Sequence, residues 1–254
     1  MVKRNEIVAF CNNYLEVEKF KDYCYNGLQI EGIEDISKIV TGVSLSKRLI
    51  DEAILENAEM LIVHHGLFKN QLGDPPRIVG IFKERIKLII ENGINLCGYH
   101  LPLDAHNEIG NNIELCRRLE LLDIERLASP YYGDIGYVGL LKIPSPIEDF
   151  VLYVDKKLGT KSFVIAAGET TVRKVGVISG GSSSDYGEAF RMGADTFITG
   201  DIKENIVREV EELGINFINA GHYNTEKFGI RKLGALLKEE FDIPTKFIDI
   251  PNEI

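Results

Sequence analysis

No apolar run in this sequence of 254 residues approaches the roughly 20 residues that a membrane span requires. The polar N-terminus shows no secretion signal, so we expect a cytoplasmic protein with no membrane partner. Only four cysteines occur, and none forms a CxxC pair, which fits a reducing compartment and disfavours a thiolate metal site. Because GxSxG is also absent, the sequence gives no sign of a serine hydrolase or a thiol-redox enzyme.

Positive charge is scarce as well. The chain carries 29 lysines and arginines against 39 aspartates and glutamates, which leaves a net charge of −10. This balance disfavours a general nucleic-acid surface, so we do not expect a nucleic-acid partner, although that class stays open. The hydrophobic content of 44% and the charged content of 27% are ordinary for a globular chain with a substantial core.

Two stretches of the chain repeat the same order of strands, helices and glycines. Predicted strands of the first copy cover 39–43, 60–63 and 94–97. Those of the second cover 175–178, 196–199 and 215–218. The phrases Asn92-Gly93-Ile94-Asn95-Leu96 and Leu213-Gly214-Ile215-Asn216-Phe217 precede His100 and His222. This pattern predicts an α/β fold of two similar βαβ-repeat lobes that face each other. We expect a single domain over 1–254, with lobes at approximately 1–127 and 128–254.

Local signals predict several element ends. Asn5 is expected to cap a helix that runs to about residue 19, and Ser46 to cap a helix over 48–56. Ser145 and Glu148 have capping-box spacing with Pro146 between them at the first helical position. Glycine and prolines predict a loop over 70–77.

All five histidines follow predicted strand ends: His64 and His65 after 60–63, His100 and His106 after 94–97, and His222 after 215–218. Open α/β sheets bind ligands outside the carboxyl ends of their strands. A single histidine in such a position is more often structural. Five histidines at three matched strand ends favour a metal site between the two lobes.

Two carboxylates complete the candidate site. Glu226 follows His222 at i, i+4 spacing, so both can face one point if a helix begins near Asn224. Asp104 follows His100 by four residues. Imidazole and carboxylate without thiolate suit Zn, Fe, Mn or Ni. More ligands than one ion needs suggest two divalent ions with a bridging carboxylate. The ligand set is His64, His65, Asp104, His222 and Glu226. His100 and His106 are candidates for catalytic proton transfer, and the sequence does not choose between them.

Two further features keep alternatives open. Asp201 occupies the repeat position of His65 and could approach the metal or cap the next helix. The run from Gly180 to Asp185 joins a strand to a helix, where it could bind an anion or form only a flexible turn.

At these residues the chain resembles the NGG-interacting-factor-three-like proteins, also labelled GTP cyclohydrolase I type 2 homologues. The resemblance covers the whole chain and depends on five phrases: Asn26-Gly27-Leu28-Gln29, His64-His65-Gly66, the stretch from His100 to His106, Gly200-Asp201, and His222-Tyr223-Asn224-Thr225-Glu226. It implies a dinuclear metal site on the five ligands above, with Glu226 bridging, and a ring-shaped homohexamer. The stretch 128–172 is too short for the extra domain of some members, so the compact form is expected.

Two functions fit these observations. The first is a metal-dependent hydrolase of the GTP cyclohydrolase I type 2 kind, in which water attacks an electrophilic ring carbon of a nucleotide or a cyclic amide-like substrate. The second is a non-enzymatic, metal-stabilised oligomeric scaffold or regulator.

Overall fold

The computed structural model describes residues 1–68, 73, 75 and 77–252. Most of the loop predicted over 70–77 therefore lies outside the described residues. The chain divides into two compact units: Met1–Leu103 with Gly229–Ile250, and Asp104–Phe228 with the residues after 250. Each unit combines helices with a sheet, which confirms the α/β class. The predicted lobe boundary at 127/128 falls inside the second unit.

The first unit is built on a five-stranded sheet. Its strands are β2 (Gly27–Ile30), β4 (Ile39–Ser44), β5 (Met60–His65), β6 (Asn95–Gly98) and β13 (Thr245–Phe247). Their order is β13-β4-β5-β6-β2, with only β2 antiparallel to its neighbour. A small antiparallel pair joins β1 (Val2–Lys3) to β3 (Asp35–Ile36). The helices are α1 (Arg4–Tyr14), α2 (Lys47–Leu55), α3 (Gly80–Glu91) and α4 (Leu101–Ala105), whose last residues belong to the second unit.

The second unit is built on a six-stranded sheet. Its strands are β7 (Leu122–Ser129), β8 (Gly133–Pro146), β9 (Phe163–Ala166), β10 (Thr171–Val177), β11 (Thr196–Thr199) and β12 (Asn216–Asn219). Their order is β7-β8-β10-β11-β12-β9, and β10, β11 and β12 are parallel. The helices are α5 (Asn111–Arg118), α6 (Ile147–Leu158), α7 (Tyr186–Arg191), α8 (Glu204–Leu213) and α9 (His222–Phe241), which continues into the first unit from Gly229.

The internal repeat is present in the backbone of both units. In each unit three consecutive parallel strands, β4-β5-β6 or β10-β11-β12, alternate with helices. The repeated asparagine makes the same contact in both copies. Asn95 Oδ1 accepts a hydrogen bond from Gly32 N at 2.8 Å, and Asn216 Oδ1 accepts one from Gly168 N at 2.9 Å. The preceding glycines have positive φ, +62° at Gly93 and +74° at Gly214, which explains the shared Gly-Ile-Asn phrase.

Some predicted helix ends are correct and others are wrong. Ser46 caps α2, since its Oγ accepts a hydrogen bond from Leu49 N at 3.2 Å. Asn5 caps nothing, because α1 already begins at Arg4 and ends at Tyr14 rather than near residue 19. The capping box at Ser145 is also absent. Strand β8 extends to Pro146, and Ser145 is paired with Val172 in the antiparallel ladder, so long-range strand pairing prevails over the local capping signal.

Among the described residues, no helix combines the length and apolar character that crossing a membrane requires. In both sheets, polar residues lie at the carboxyl ends of the buried parallel strands. In the first unit this is the end of β5, where His64 is fully buried.

Candidate metal centre

Three histidines of the first unit form a cluster. His64 and His65 are the last residues of β5, and His100 follows β6 by two residues. One ring nitrogen from each of the three lies within 4.8 Å of the others. The ring centroids of His64 and His65 are 4.5 Å apart, and those of His64 and His100 are 5.2 Å apart. Neighbouring parallel strands therefore bring the imidazoles together as the sequence predicts, in a geometry that can hold a metal ion.

Each imidazole in this cluster is anchored through Nδ1. His64 Nδ1 lies 2.8 Å from Tyr99 O, and His65 Nδ1 lies 2.9 Å from Ser44 Oγ. Because a carbonyl oxygen only accepts, the Nδ1 of His64 carries the proton, and Nε2 of the neutral ring is the nitrogen with a lone pair. Metal-binding histidines are typically oriented in this way by a partner on the other ring nitrogen.

The third imidazole, His100, is anchored by Asp22, which the sequence analysis missed. Its Nδ1 lies 3.0 Å from Asp22 Oδ1, and both side chains are almost completely buried. The carboxylate also accepts hydrogen bonds from Cys24 N at 2.9 Å, Leu101 N at 3.0 Å and Asn26 Nδ2 at 3.0 Å. Burial alone would raise the pKa of Asp22, but the hydrogen bond and charge of His100, with the other donors, lower it to about 2. Asn26 thus helps to hold the carboxylate that orients His100.

We expect the Asp22→Asn variant of the metal-free protein to be less stable than the wild type at neutral pH but not near pH 2. The pKa of Asp22 in the folded protein lies below its ordinary value of 3.8. The stabilisation that the ionised carboxylate gives to the fold is therefore present above pH 4 and is lost as pH falls towards 2. The depression corresponds to about 2 kcal/mol. Urea unfolding at pH 6 and pH 2.5 measures it; an equal loss of stability at both pH values would contradict this charge effect.

The second unit holds a histidine–carboxylate pair on the first turn of α9. His222 Nε2 lies 3.0 Å from Glu226 Oε2, as i, i+4 spacing on a helix predicts. The Glu226 side chain is only 4% exposed, whereas that of His222 is 37% exposed. Helix α9 begins at His222 itself, two residues before the predicted start. A buried carboxylate is stable only with a charged or hydrogen-bonding partner, which suits a metal ligand.

Gly180, after β10, makes room for this pair. Its φ is +64°, and an added Cβ would overlap Glu226 Oε1 and lie 3.2 Å from His222 Nε2. The neighbouring Ser179 donates from its Oγ to Asp104 Oδ1 at 3.3 Å. The Ser179–Gly180 segment is thus next to both predicted carboxylate ligands of this unit.

Asp104, the remaining predicted ligand, is buried and oriented. It is 4% exposed, and its Oδ1 accepts a hydrogen bond from Asn111 Nδ2 at 2.8 Å. Asn111 and Ser179 are neutral donors, so they fix the orientation of the Asp104 carboxylate without neutralising its charge, which suits a metal ligand.

The other candidate residues have local partners. His106 Nδ1 accepts hydrogen bonds from Glu108 N and Ile109 N, both at 3.2 Å, which is a turn-capping geometry. Asp201 Oδ1 accepts one from Ser183 N at 3.2 Å, and α8 begins only at Glu204 with Lys203 as its cap residue. Asp201 therefore holds the Ser183 turn rather than capping α8.

The turn from Gly180 to Asp185 contains a buried acid. Asp185 is almost inaccessible, and its burial raises the pKa of this carboxyl. An acidic group in the same turn disfavours binding of an anion by this segment. The turn is held by Asp201 through the Ser183 amide, and α7 begins there without a side-chain cap.

Comparisons with known proteins show the family to which this chain belongs. The sequence profile of Duf34/NIF3 (NGG1p interacting factor 3) matches residues 2–253. A Haemophilus influenzae protein named GTP cyclohydrolase 1 type 2 homolog is 41% identical over 97% of this chain and 98% of its own. A solved structure of the protein ybgI, described as of unknown function, superposes with a TM-score of 0.94 at 38% identity and covers 100% of both chains. TTHA1606 from Thermus thermophilus gives a TM-score of 0.88 at 35% identity, again over 100% of both. The chain therefore belongs to the Duf34/NIF3 (NGG1p interacting factor 3) family.

Proposed function

We propose that this protein binds two divalent metal ions, of Zn, Fe, Mn or Ni type, on His64, His65, Asp104, His222 and Glu226. The observation that carries the proposal is the orientation of the donors. The Nδ1 atoms of His64 and His65 are held by backbone and hydroxyl oxygens, and Asp104 and Glu226 are buried carboxylates. Neutral imidazoles and buried carboxylates without thiolate are the donor set of catalytic dinuclear centres.

We further propose that the protein is a hydrolase of a nucleotide or cyclic amide-like ring. Relatives at about 40% identity are named GTP cyclohydrolase 1 type 2 homolog, and water activated by a metal ion can carry out a hydrolysis of that kind. When bound, the ions supply Lewis acidity, which makes water a nucleophile near neutral pH. The protein's own part is to orient the ligands and to hold a proton-transfer group beside them.

His100 is the better proton-transfer candidate of the two that the sequence offered. It lies in the cluster with His64 and His65, and Asp22 fixes its ring through Nδ1. A histidine held by a buried carboxylate is oriented for proton exchange at its other nitrogen. The Nδ1 atom of His106 instead accepts hydrogen bonds from two backbone amides, so this ring caps a local turn.

His100→Ala is expected to lower the rate of ring hydrolysis by about 100-fold or more while leaving the metal content within about 20% of wild type. Elemental analysis and a rate assay on the same preparation test this. His106→Ala is the matched control, and we expect it to lower stability with a near-normal rate per folded molecule. Loss of metal from His100→Ala would instead make His100 a ligand.

Chelation distinguishes the hydrolase from the scaffold. We propose a homohexamer, as the family resemblance implies, and exposed apolar side chains on α3 such as Ile81 and Ile90 suit an assembly surface.

For an enzyme, removal of metal should abolish turnover of GTP while sedimentation still gives the same particle. Loss of assembly on chelation, with no turnover by the metal-loaded protein, would favour the scaffold.

A further inference from the structure

An aromatic pair borders the histidine cluster of the first unit, and the proposed metal chemistry does not use it. Tyr23 and Phe68 stack with ring centroids 5.4 Å apart and an interplanar angle of 26°. Both rings also meet the His100 ring edge to face, at centroid distances of 5.0 Å for Tyr23 and 5.4 Å for Phe68. Tyr23 is nevertheless 45% exposed, so the stack retains ring surface that a ligand can cover.

The backbone that carries this pair is fixed by several contacts. An isolated antiparallel bridge joins Cys24 to Phe68, and Tyr25 N donates to Leu67 O at 3.2 Å. From β2, Gln29 Oε1 accepts a hydrogen bond from Leu67 N at 2.7 Å. The two rings are thus positioned before any ligand arrives, and a preformed surface binds with a smaller ordering cost.

Shielding of His100 is the simpler role for such rings, yet it does not account for the 45% exposure of Tyr23. A side chain that only excludes water from a histidine is itself expected to be well covered, because burial is what gives an aromatic ring its stabilising effect. A half-exposed ring next to a cluster of oriented imidazoles is instead typical of binding clefts, where aromatic and apolar surface lies beside a few polar groups.

We propose that Tyr23 and Phe68 form a stacking platform that binds the planar nitrogen-heterocycle ring of the substrate beside His65 and His100. The inference rests on the proposed function, because a ring-opening hydrolase must hold a flat ring near its histidines. Stacking accepts any flat base, since every base has a π-face. Phe68 also lies 6.0 Å from the His65 ring, so a ring on this platform borders two of the cluster's imidazoles.

The absence of tryptophan from the chain gives a direct binding test. Tyr23→Trp places the sole tryptophan on the platform of the metal-reconstituted full-length protein. We expect GTP to quench its fluorescence in a saturable way, and inorganic triphosphate, which lacks the ring, to leave it unchanged. Tyr131→Trp, at a tyrosine of the second unit that is 68% exposed, is the matched control and should respond to neither. Equal quenching in both variants, or by triphosphate, would overturn the platform.

A second set of variants measures affinity by calorimetry. Tyr23→Leu keeps apolar bulk but removes the ring, and it should weaken GTP binding about tenfold. Tyr23→Phe keeps the ring and should bind GTP within about twofold of wild type. Metal content, measured in parallel, should be the same in all three proteins. Unchanged GTP affinity in Tyr23→Leu, or no GTP binding by metal-loaded wild type, would overturn the platform alone. Failure of the wild type to retain metal would overturn the proposed function.

Discussion

Glu226→Gln is expected to lower the affinity of the protein for divalent metal by more than about 100-fold. Removal of an outer-shell partner of a metal site already costs roughly 10- to 100-fold, so loss of a ligand charge should cost more. The substitution keeps the shape of a buried side chain that contacts His222 but removes the negative charge that this proposed ligand would supply. Competition with a chromophoric chelator measures the change in affinity.

Asp201→Asn is the matched control for this change. Asp201 contacts the Ser183 amide through Oδ1 at 3.2 Å, and an asparagine oxygen can accept the same hydrogen bond. We therefore expect its metal affinity to stay within about threefold of wild type. Equal losses in the two variants would show that Asp201, the repeat counterpart of His65, belongs to the ligand set.

Gly180→Ala is the second substitution with a large expected effect. The added methyl group would overlap Glu226 Oε1, so the carboxylate must leave its position beside His222. The left-handed backbone at φ +64° adds strain. We expect metal affinity to fall by at least about tenfold and the free energy of unfolding to fall by about 2 kcal/mol or more. Chelator competition and urea unfolding provide the two values.

Gly133→Ala separates the effect of backbone strain from the effect of overlap with Glu226. Gly133 also has a positive φ, +78°, but an added Cβ there would have nothing within 4 Å. This variant should lose about 1 kcal/mol of stability through backbone strain alone and retain full metal affinity. If Gly180→Ala also retains full affinity, Gly180 has no part in positioning Glu226.

Much of the fold and the candidate site follows from local sequence signals. The fully apolar run of β5 gives a buried parallel strand, which delivers His64 and His65 to its carboxyl end. The repeated Gly-Ile-Asn phrase reflects a positive-φ glycine followed by an anchoring asparagine in each unit. The helical spacing of His222 and Glu226 gives their contact directly.

The features that the sequence analysis missed depend on long-range contacts or weak patterns. Asp22 is 78 residues from His100 in sequence and lies outside any periodic element, so no spacing links the two. Strand β7 has only Leu127 and Ser129 buried, which leaves no alternation of apolar and polar residues to indicate a strand. At Ser145 the capping signal competes with the β8–β10 ladder, and the ladder prevails.

We propose a dinuclear centre on His64, His65, Asp104, His222 and Glu226. Its most direct test is elemental analysis of the metal-reconstituted, dialysed protein, with protein concentration determined by amino-acid analysis. We expect two divalent ions per chain in the wild type and a clear loss of bound metal in Glu226→Gln. A saturated wild-type protein that holds one ion or fewer per chain would contradict it.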